Sequence, residues 1–544
     1  MNTHQANDES YHHAPGTLGG LTVTHPSASA RLRSAIPARV DRLPWSAFHT
    51  RMVLALGICW ILDGFEIMIV ANVGEQLSKP DTLGLSPTAI GLLATVYLIG
   101  EVAGALVFGQ LSDRWGRRRL FFVTLTIYFA GSTLTALVPG HGTFALVLLY
   151  LTRFVAGTGI GGEYAAINSA IDELIPARYR GRVDIAVNGT FWAGAAIAAA
   201  VQIPLLSGAV DPRYDWRIAV LIGPLLAIFI LFVRRSVPES PRWQIMHGHG
   251  SDAENSIAAI EQEVTRTGKI LPPIDDSHAI DIQPVPKAGY LTLLRVLFRT
   301  YPDRAVLGAV MMITQSFLYN AIFFTYASVL VSFFQVDKNR TSIYLLFFAI
   351  GNLAGPLILG PLFDKIGRRT MISRTYILSG VLLVGSAYAF RAGSFTATTQ
   401  TLAWCVIFFF ASAGASSAYL TVSEIFPMEV RAKAIAVFFA IAQCFGALGP
   451  VTYGALIATS NPHPAALFAG YLVGAVAMIL GGVVAFALAV DAENKSLEDV
   501  ATPLSMIAAA HTRRPPTWHT PSPTTTGRAW PAAQFPEGRP ATND

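Results

Sequence analysis

Residues 109–118 read GQLSDRWGRR, and residues 360–369 read GPLFDKIGRR, 251 positions further along the chain. A second motif repeats with the same spacing, since residues 173–176 read ELIP and residues 424–427 read EIFP. Each copy directly follows an apolar run, so the motifs predict two similar halves. Two similar membrane halves around a central cavity are typical of transporters that work by alternating access.

The composition indicates a membrane protein. Of 544 residues, 52% are hydrophobic and 13% are charged, whereas soluble domains carry about 25% charged residues. The mean hydropathy of +0.47 excludes a disordered chain and disfavours a soluble enzyme. A bilayer-spanning helix needs about 20 mostly apolar residues. Twelve such runs cover residues 51–74, 88–110, 119–139, 143–172, 184–207, 217–234, 304–334, 342–362, 371–391, 398–422, 433–458 and 465–490.

The polar segments divide the chain into five parts. Residues 1–48 and 491–544 lack apolar periodicity and are predicted to be disordered cytoplasmic tails. Two six-helix halves cover residues 49–234 and 304–490, and a polar central loop, residues 235–303, joins them. The predicted fold is an all-α membrane protein with twelve transmembrane helices in two pseudo-symmetric halves. The three cysteines lie in apolar runs, so they predict neither a disulfide framework nor a metal site.

Basic residues in the loops predict the orientation in the membrane. The loops after runs 2, 4, 8 and 10 together carry twelve arginines and lysines, many more than the loops on the opposite side. Loops rich in positive charge are retained in the cytoplasm. We therefore expect a multi-pass protein of the bacterial inner membrane, with both termini and the central loop in the cytoplasm.

These motifs make the chain similar to members of the major facilitator superfamily over about residues 50–500. The GxxxDRxGRR loop is the most specific signature of that superfamily, and the resemblance implies its twelve-helix fold. Further motifs resemble the branch of sugar porters, organic-ion transporters and aromatic-acid/proton symporters. They are RF at 153–154, GGE at 161–163, PESPR at 238–242, EIFP at 424–427 and ENKSLE at 493–498.

The match to true sugar porters is incomplete. Where those proteins carry a glutamine pair in the seventh helix, this chain has Thr314 and Gln315, and Leu318 stands in place of a glycine. Tyr419 replaces a tryptophan before the glutamate of the tenth helix. DGFE at residues 63–66 instead resembles the Asp-Gly-aromatic-Asp motif of aromatic-acid/proton symporters. A small organic acid or related metabolite therefore fits as a substrate at least as well as a sugar does.

The resemblance implies that the loop motifs form a cytoplasmic latch, which would hold the halves together when the carrier faces outward. Glycines at helix ends permit positive φ and close approach, and acidic residues among arginines form charge-assisted hydrogen bonds. The simpler alternative is that the arginines only set the topology and the glycines only turn the chain. The candidate latch residues are Gly109, Asp113, Arg114, Gly116, Arg117, Arg118, Glu173, Arg182, Glu239, Arg242, Gly360, Asp364, Gly367, Arg368, Glu424 and Arg431.

Five ionisable residues lie within the apolar runs of the first half, namely Asp63, Glu66, Glu101, Arg153 and Glu163. A charge at the bilayer centre costs at least about 2.5 kcal/mol, so these side chains are candidates for proton coupling. Asp63 and Glu66 share one helix face because they are three residues apart. Arg153 is their natural counter-ion, or the anchor of an anionic substrate.

Each of these residues has a purely structural alternative. Glu163 and Arg153 could form a buried ion pair that only fixes the helix packing, and Glu101 could face a polar seam without ever taking up a proton. Asp63 could lie near the membrane interface. It follows Arg51 by twelve residues, however, which at about 1.5 Å per residue brings it close to the middle of the membrane.

The second half has no ionisable residue at the five equivalent positions, which are Thr314, Phe317, Asn352, Trp404 and Gly414. It offers neutral hydrogen-bonding groups and aromatic rings, which suit recognition of a solute in a mostly apolar cavity. The amides could instead only join one helix to another. The candidate substrate-binding residues are Gln315, Tyr319, Asn320, Asn352 and Tyr419, with Trp192 from the first half.

The sequence thus predicts a secondary active transporter that moves a small organic solute by alternating access as a proton symporter, with no cofactor and no metal. Alternatives on the same fold are an uncoupled facilitator and a proton-driven exporter, and a further alternative is a transporter-like receptor that signals through its tails. An enzyme is disfavoured, because no nucleophile elbow, phosphate loop or metal-ligand spacing occurs at a membrane boundary. The predicted partners are the solute, protons and the lipid bilayer, without nucleic acid, and the chain is predicted to be a monomer.

Overall fold

The computed structural model describes residues 16–18, 21–23, 32–140, 142–205, 210–234, 238–274, 279–282, 289–337, 340–427, 429–457 and 464–501. Within these residues, 12 helical segments are long and apolar enough to cross a membrane. A short helix, α1 (Ile36–Asp41), precedes them. The first six spans are α2 (Ala47–Leu77), α3 (Pro87–Trp115), α4 (Arg117–Ala136), α5 (Thr143–Leu174), α6 (Ala177–Gly189) with α7 (Phe191–Pro204), and α8 (Pro212–Arg234).

The connection to the second half is helical over much of its length. It contains α9 (Pro241–Met246), α10 (Gly250–Arg266) and α11 (Tyr290–Thr300). The second six spans are α12 (Pro302–Phe334), α13 (Thr341–Lys365), α14 (Arg368–Arg391), α15 (Ala397–Glu424), α16 (Arg431–Gly446) with α17 (Leu448–Ile457), and α18 (Pro464–Leu488). A last short helix, α19 (Leu497–Val500), begins at the side-chain cap of Ser496.

Four short strands accompany the helices. Strand β1 (Gly16–Leu18) pairs antiparallel with β2 (Leu21–Val23). Strand β3 (Leu32–Ser34) pairs antiparallel with β4 (Ile280–Ile282), which joins the segment just before α1 to the central loop.

The predicted N-terminal tail is wrong in its last part, because residues 36–41 form α1. Burial explains the difference, since Ile36 and Val40 are fully or almost fully buried. Arg39 adds a bidentate contact to Glu261 of α10, with nitrogen–oxygen distances of 3.0 and 2.6 Å. The predicted C-terminal tail is likewise ordered at its start, where α19 lies. Residues 1–15 and 502–544 lie outside the described residues.

Equivalent glycines pack the helices of both halves. In the first half, a Cβ on Gly104 of α3 would overlap the carbonyl oxygen of Thr158 in α5. In the second half, 251 residues further on, a Cβ on Gly355 of α13 would overlap the carbonyl oxygen of Phe409 in α15. Only glycine allows two helix backbones to come this close. The internal repeat of the sequence therefore extends into the helix packing.

The fifth span of each half is divided into two helices. The first division lies at Thr190, whose hydroxyl donates a hydrogen bond of 2.8 Å to the carbonyl of Gly57 in α2. The second division lies at Ala447, directly after Gly446, where a Cβ would overlap the side chain of Asn320 in α12. Each division thus brings backbone close to the first span of its own half.

Candidate functional site

A cavity lies between the two halves of the bundle. Its volume is about 110 Å³, which is smaller than the roughly 300–1,000 Å³ of typical small-molecule sites. Its aromatic lining consists of Trp60, Tyr164, Phe191, Trp192, Tyr319 and Tyr419. Its polar lining consists of the amides Asn188, Gln315, Asn320 and Gln443 and the serines Ser316, Ser412 and Ser416. Among the described lining residues none is charged, so the walls offer ring faces and neutral hydrogen-bonding groups.

Of the six candidate substrate-binding residues, five lie in the cavity wall. They are Trp192, Gln315, Tyr319, Asn320 and Tyr419. The sixth, Asn352, lies behind the wall, where its Oδ1 accepts a hydrogen bond of 3.1 Å from the Tyr319 hydroxyl. Asn352 can therefore orient the Tyr319 ring without touching a solute.

Sequence reasoning missed several wall residues, among them Asn188, Ser316 and Gln443. Each is a single uncharged polar residue inside an apolar run, and nothing in the repeat motifs marks it. A search for amides and hydroxyls within the spans would have found them, but it would also have found many side chains that only bond to their own helix. Thr314, for example, donates to the carbonyl of Val310 at 2.8 Å.

Aromatic rings from both halves meet in the cavity wall. Trp60 of the first half packs edge-on against Tyr164 and against Tyr419 of the second half, with ring centroids 4.8 and 5.4 Å apart. Trp192 of the first half lies 5.6 Å from Tyr319 of the second half. Aromatic contacts therefore join the two halves at the cavity, and a solute in the cavity would touch rings from both halves.

Behind this wall, Glu66 and Arg153 form a buried ion pair in the first half. Glu66 is 0% exposed and Arg153 is 1% exposed. Glu66 also accepts hydrogen bonds of 2.8 Å from the Tyr128 hydroxyl and 3.1 Å from Ser132. The sequence offered two partners for Arg153, the pair of Asp63 and Glu66 or, as a structural alternative, Glu163, and the guanidinium contacts Glu66. Hydrogen bonds on several sides satisfy this pair, as a charge in a membrane interior requires.

Asp63 lies one hydrogen bond away from the cavity. Its Oδ2 accepts a hydrogen bond from the Tyr164 hydroxyl, and Tyr164 lines the cavity. Its other oxygen, Oδ1, is buried with no hydrogen-bond partner in the described part of the chain. Asp63 and Glu66 lie on the same face of α2, but they bond to different side chains. Asp63 is therefore the member of the pair that lies directly behind the cavity wall.

Two further carboxylates lie in the interior of the first half. Glu101 of α3 accepts a hydrogen bond of 2.6 Å from Gln443 of α16, which belongs to the second half. Glu163 of α5 lies next to Thr124, whose hydroxyl donates to it at 3.4 Å. Glu101 is therefore joined to the second half, whereas Glu66 bonds to Tyr128, Ser132 and Arg153 of its own half.

Matching ion pairs secure the loop motifs within each half, on the side of the bundle that carries the arginine-rich loops 113–119, 175–182, 364–369 and 425–433. We call this the basic side. In the first half Arg117 bonds to Glu173 at 2.8 Å. In the second half, 251 residues on, Arg368 bonds to Glu424 at 3.1 Å. These pairs join neighbouring helices of one half, whereas the sequence had assigned them to contacts between the halves.

A second carboxylate holds the turn of each loop motif. Glu239 accepts hydrogen bonds of 2.9 and 3.1 Å from the backbone N–H groups of Arg117 and Arg118, directly after Gly116 with φ of +82°. In the second half, Glu493 accepts a hydrogen bond of 3.3 Å from the N–H of Arg368. The carboxylates thus bind the N-termini of α4 and α14, where the helix dipole favours negative charge.

Among the described residues, four other ion pairs on the basic side join the first half, or the segment that follows it, to the second half, or the segment that follows that one. We call them the cross-half pairs. Their donors and acceptors approach to between 3.0 and 3.9 Å, and most of their side chains are almost fully buried. The pairs are Arg182 with Asp364, Arg180 with Glu424, Arg242 with Glu498, and Arg431 with Asp172. Arg180, Asp172 and Glu498 were not among the predicted latch residues, although each lies within five residues of one in the chain or in a quoted motif.

The segment before the first span contributes Asp41 to this cluster. Asp41 lies 3.1 Å from Arg242 and 3.4 Å from Arg180, and its Oδ1 accepts a hydrogen bond of 3.1 Å from the N–H of Ala177. Burial alone would lower the pKa of Arg242, but the carboxylates of Glu498 and Asp41 outweigh it and hold that pKa above its usual range. The segment therefore closes the basic side together with the cross-half pairs.

The remaining latch candidates have varied surroundings. A Cβ on Gly109 would overlap Ala436 of the second half, and a Cβ on Gly360 would meet the backbone of Arg182 at 3.6 Å. These glycines therefore lie at the contact between the halves. Arg114 is exposed, and the side chain of Asp113 lies outside the described part of the structure.

Residues 59–503 match the family model described as "Sugar (and other) transporter". The chain belongs to this family of major facilitator transporters. The predicted superfamily and the predicted twelve-helix fold are thereby confirmed. The chain is an integral, multi-pass membrane transporter of the sugar or metabolite type rather than an enzyme.

Relatives of known name extend over nearly the whole chain. The niacin transporter NiaP of Acinetobacter baylyi is 26% identical over 466 residues, which cover 85% of this chain and 99% of NiaP. The putative metabolite transport protein YdjK of Escherichia coli is 29% identical over 479 residues, 85% of this chain and 96% of YdjK. The proton:xylose symporter XylE, bound to 6-bromo-6-deoxy-D-glucose, matches with a TM-score of 0.69 at 18% identity, over 84% of this chain and 98% of XylE. The match to XylE concerns the fold.

Proposed function

We propose that this transporter carries a small organic solute together with protons and works by alternating access between its two halves. The supporting observation is the position of the carboxylates relative to the cavity. The described cavity wall is uncharged, while Asp63 lies directly behind Tyr164 in that wall. A proton on Asp63 would remove a charge next to the bound solute before both cross the membrane.

The cavity wall suits a planar solute with polar groups at its edge. Ring faces from both halves offer stacking surfaces to a planar ring, and the amides and serines offer hydrogen bonds to its polar groups. The name of the relative NiaP gives niacin as its solute, and niacin is a planar heteroaromatic acid. We infer a small organic acid or related metabolite, and we take an aromatic or heteroaromatic acid as the first candidate.

The buried pair of Glu66 and Arg153 would be the second part of the coupling site. Protonation of Glu66 would release the Arg153 guanidinium from its partner and leave a cation for an anionic solute or for another carboxylate. Removing one member of such a pair destabilises the protein. Protonation of Glu66 would therefore affect the arrangement of the helices around the pair. Glu163 would be a further acidic group of the same half.

The cross-half pairs would be the latch of the transport cycle. While Arg182 contacts Asp364 and Arg431 contacts Asp172, the halves are held together on the basic side. Those contacts must break before the cavity can open on that side. The positive-inside rule assigns the basic side, both termini and the central loop to the cytoplasm.

Uptake into proteoliposomes with an imposed proton gradient tests the proposal. Radiolabelled niacin, benzoate and xylose are offered with and without a protonophore, and we expect accumulation of niacin or benzoate that the protonophore abolishes. Asp63→Asn should lose accumulation while it keeps counterflow exchange, because the neutral side chain no longer carries the proton. The matched control is Asp252→Asn on α10, where the aspartate is 63% exposed.

Four outcomes would contradict all or part of the proposal. Uptake that ignores the protonophore indicates an uncoupled facilitator, and efflux driven by the gradient indicates an exporter. Accumulation of solute against its gradient by Asp63→Asn removes Asp63 from the coupling site. Preference for xylose over both acids overturns the solute class alone.

A further inference from the structure

Glu101 is joined to the cavity by a hydrogen bond that crosses between the halves. The carboxylate is 0% exposed in the middle of α3. Its Oε2 accepts a hydrogen bond of 2.6 Å from Nε2 of Gln443, which lies on α16 of the second half. Gln443 is half-buried and lines the cavity. A buried acid of one half is therefore one side chain away from the solute site and is held by the other half.

The hydrogen bonds continue from Gln443 along the cavity wall with a defined direction. Oε1 of Gln443 accepts a hydrogen bond of 3.2 Å from the hydroxyl of Ser316. Oγ of Ser316 in turn accepts a hydrogen bond of 3.2 Å from Nδ2 of Asn320. All three side chains line the cavity. The amide of Gln443 thus turns its N–H end toward Glu101 and its carbonyl end toward the wall.

The protonation state of Glu101 decides which end of that amide faces the wall. An ionised carboxylate only accepts hydrogen bonds, so it takes an N–H of Gln443 and leaves the carbonyl for Ser316. A protonated carboxyl carries an O–H donor, which can bond to the Gln443 carbonyl. The amide then rotates and offers its two N–H donors to Ser316 and to the cavity.

We propose that Glu101 is a positioning residue which sets, through Gln443, whether this wall of the cavity offers a hydrogen-bond acceptor or a donor to the solute. This proposal rests on the proposed function. It adds that this wall of the cavity selects the solute by its charge. The carboxylate of an anionic solute only accepts hydrogen bonds, so it requires the donor arrangement. Binding of the anion therefore favours the proton on Glu101, and one proton is taken up with one anion without direct contact between them.

The surroundings of Glu101 fit such a role. The titratable groups that act on it or are affected by its charge are Asp63 on α2, Tyr97 on its own helix, Tyr164 on α5 and Tyr419 on α15. Within the described residues, no basic side chain forms an ion pair with Glu101, in contrast to Glu66. Its Oε1 is buried without a hydrogen-bond partner among those residues, so the carboxyl has room for a proton and no competing counter-ion.

Binding measurements on the purified transporter test the proposal, with niacin as the anionic probe and nicotinamide as its neutral analogue. Trp60 and Trp192 line the cavity, so their fluorescence reports occupancy. Between about pH 5.5 and about pH 8 we expect the Kd of niacin to rise about tenfold, which corresponds to about one hydrogen bond. The Kd of nicotinamide, which carries its own donor and acceptor, should change much less.

Two variants and one control separate the role of Glu101 from general damage. Glu101→Gln should bind niacin with a Kd that depends much less on pH, because its N–H replaces the carboxyl O–H as the donor, and the dependence that is left comes from Asp63. Gln443→Leu should bind niacin at every pH about as weakly as the wild type does at about pH 8, since it offers no hydrogen-bond donor in either state of Glu101. Gln202→Leu changes a buried glutamine that bonds to the backbone of Met68, and it should keep the normal pH profile.

Infrared titration gives a readout that needs no solute. The carboxyl C=O band that is missing in Glu101→Gln should shift to higher frequency in Gln443→Leu, because the hydrogen bond to the amide is lost. An unchanged band in Gln443→Leu, or an unchanged pH profile of niacin binding in Glu101→Gln, would overturn the proposal. Neither result affects the test of proton-driven accumulation, so failure of this inference is distinct from failure of the proposed function.

Discussion

The two halves of the molecule agree closely at their loop motifs. Arg117 bonds to Glu173 in the first half, and Arg368 bonds to Glu424 at the equivalent place in the second. The turn before each of these arginines is a glycine with positive φ held next to a glutamate. The duplicated sequence has therefore kept the same local chemistry twice, on the side where the halves are held together.

The interiors of the halves differ at equivalent depth. The first half buries the ion pair of Glu66 and Arg153, whereas the second half has Phe317 and Trp404 at the positions 251 residues further on. Trp404 is fully buried and packs against Tyr326 with ring centroids 4.9 Å apart. The repeat thus has an ion pair at this depth in one half and aromatic packing in the other, a difference that agrees with the transport role proposed for the pair.

The largest expected effect comes from breaking the ion pair of the first half. Arg153→Leu leaves Glu66 buried without its counter-ion, which should cost about 3–5 kcal/mol of stability and remove most folded protein from the membrane. Thermal unfolding of the purified variant measures the loss. Trp404→Phe, at the equivalent position of the second half, should cost much less. Equal losses in both variants would show that the position matters and the charge does not.

A double replacement sharpens the same comparison. Glu66→Phe combined with Arg153→Trp gives the first half the residues of the second half. We expect it to recover most of the stability lost in Arg153→Leu, because replacing both members of a buried pair by packed apolar groups is often close to neutral. Proton-driven accumulation should remain absent. A double variant that still accumulates solute against its gradient would remove the pair from the coupling mechanism.

A smaller difference is expected between the equivalent arginines of the loop motifs. Arg117→Ala and Arg368→Ala each break a buried pair and should each cost about 3 kcal/mol. Arg368 also bonds to Asp364 at 2.7 Å, and Asp364 contacts Arg182 of the other half. Only Arg368→Ala should therefore loosen the contact between the halves.

Labelling of a buried position on the basic side measures that loosening. Ser423 is 0% exposed, so Ser423→Cys in the unchanged background should react slowly with a membrane-impermeant thiol reagent. The rate should rise with Arg368→Ala and change little with Arg117→Ala. Equal rates in the two variants would place the cross-half contact elsewhere.

Equivalent glycines should respond alike. Gly104→Ala and Gly355→Ala each place a Cβ against a backbone carbonyl that cannot move away, and each should cost about 1–3 kcal/mol of stability. Gly385→Ala on α14 is the control, since no atom lies within 4 Å of its Cβ position. It should stabilise by about 0.5 kcal/mol or leave stability unchanged. Unequal losses at Gly104 and Gly355 would show that the packing of the two halves has diverged.

The smallest effect is expected outside the membrane, between α1 and α10. Burial raises the pKa of Glu261, but the hydrogen bonds from Arg39 and Arg42 outweigh it and leave that pKa below its usual value. Glu261 therefore stabilises the contact at neutral pH, and its contribution is lost as the pH falls below the usual range of glutamate, about 4.3.

Limited proteolysis of the α1 segment measures this contact. Glu261→Gln should cost about 0.5–1 kcal/mol and make cleavage at neutral pH as fast as in the acidified wild type. Glu263→Gln, which affects the more exposed pair with Arg51, should leave the rate unchanged. Acid-insensitive cleavage of the wild type would exclude Glu261 as the group that titrates.

The parts of the molecule that follow from local pattern were predictable from the sequence. Apolar runs predict the spans, and the repeat of the GRR loops predicts the two halves. The first half was also expected to carry the buried acids. These features depend on residues close together in the chain or related by a fixed offset, and so they are visible without a structure.

Contacts between distant residues were not predictable in the same way. The partner of Glu101 is Gln443, 342 residues away, and Gln443 has no motif to mark it. Asp172 directly precedes Glu173, the first residue of the repeated motif, yet Asp172 is the residue that contacts Arg431 of the other half. One residue of shift changes the helix face by about 100°, so the partner depends on how the helices are rotated about their axes.

Asp41 has a practical consequence for how this protein is shortened or tagged. The residue contacts Arg180 on α6 and Arg242 on α9, while Glu498 reaches Arg242 from beyond the last span. A chain that starts at Leu43 would keep all twelve spans and still lack an anion that two buried guanidinium groups require. Deletions from the amino terminus should therefore end before Ile36, so that α1 and Asp41 remain and the charges of Arg180 and Arg242 stay paired.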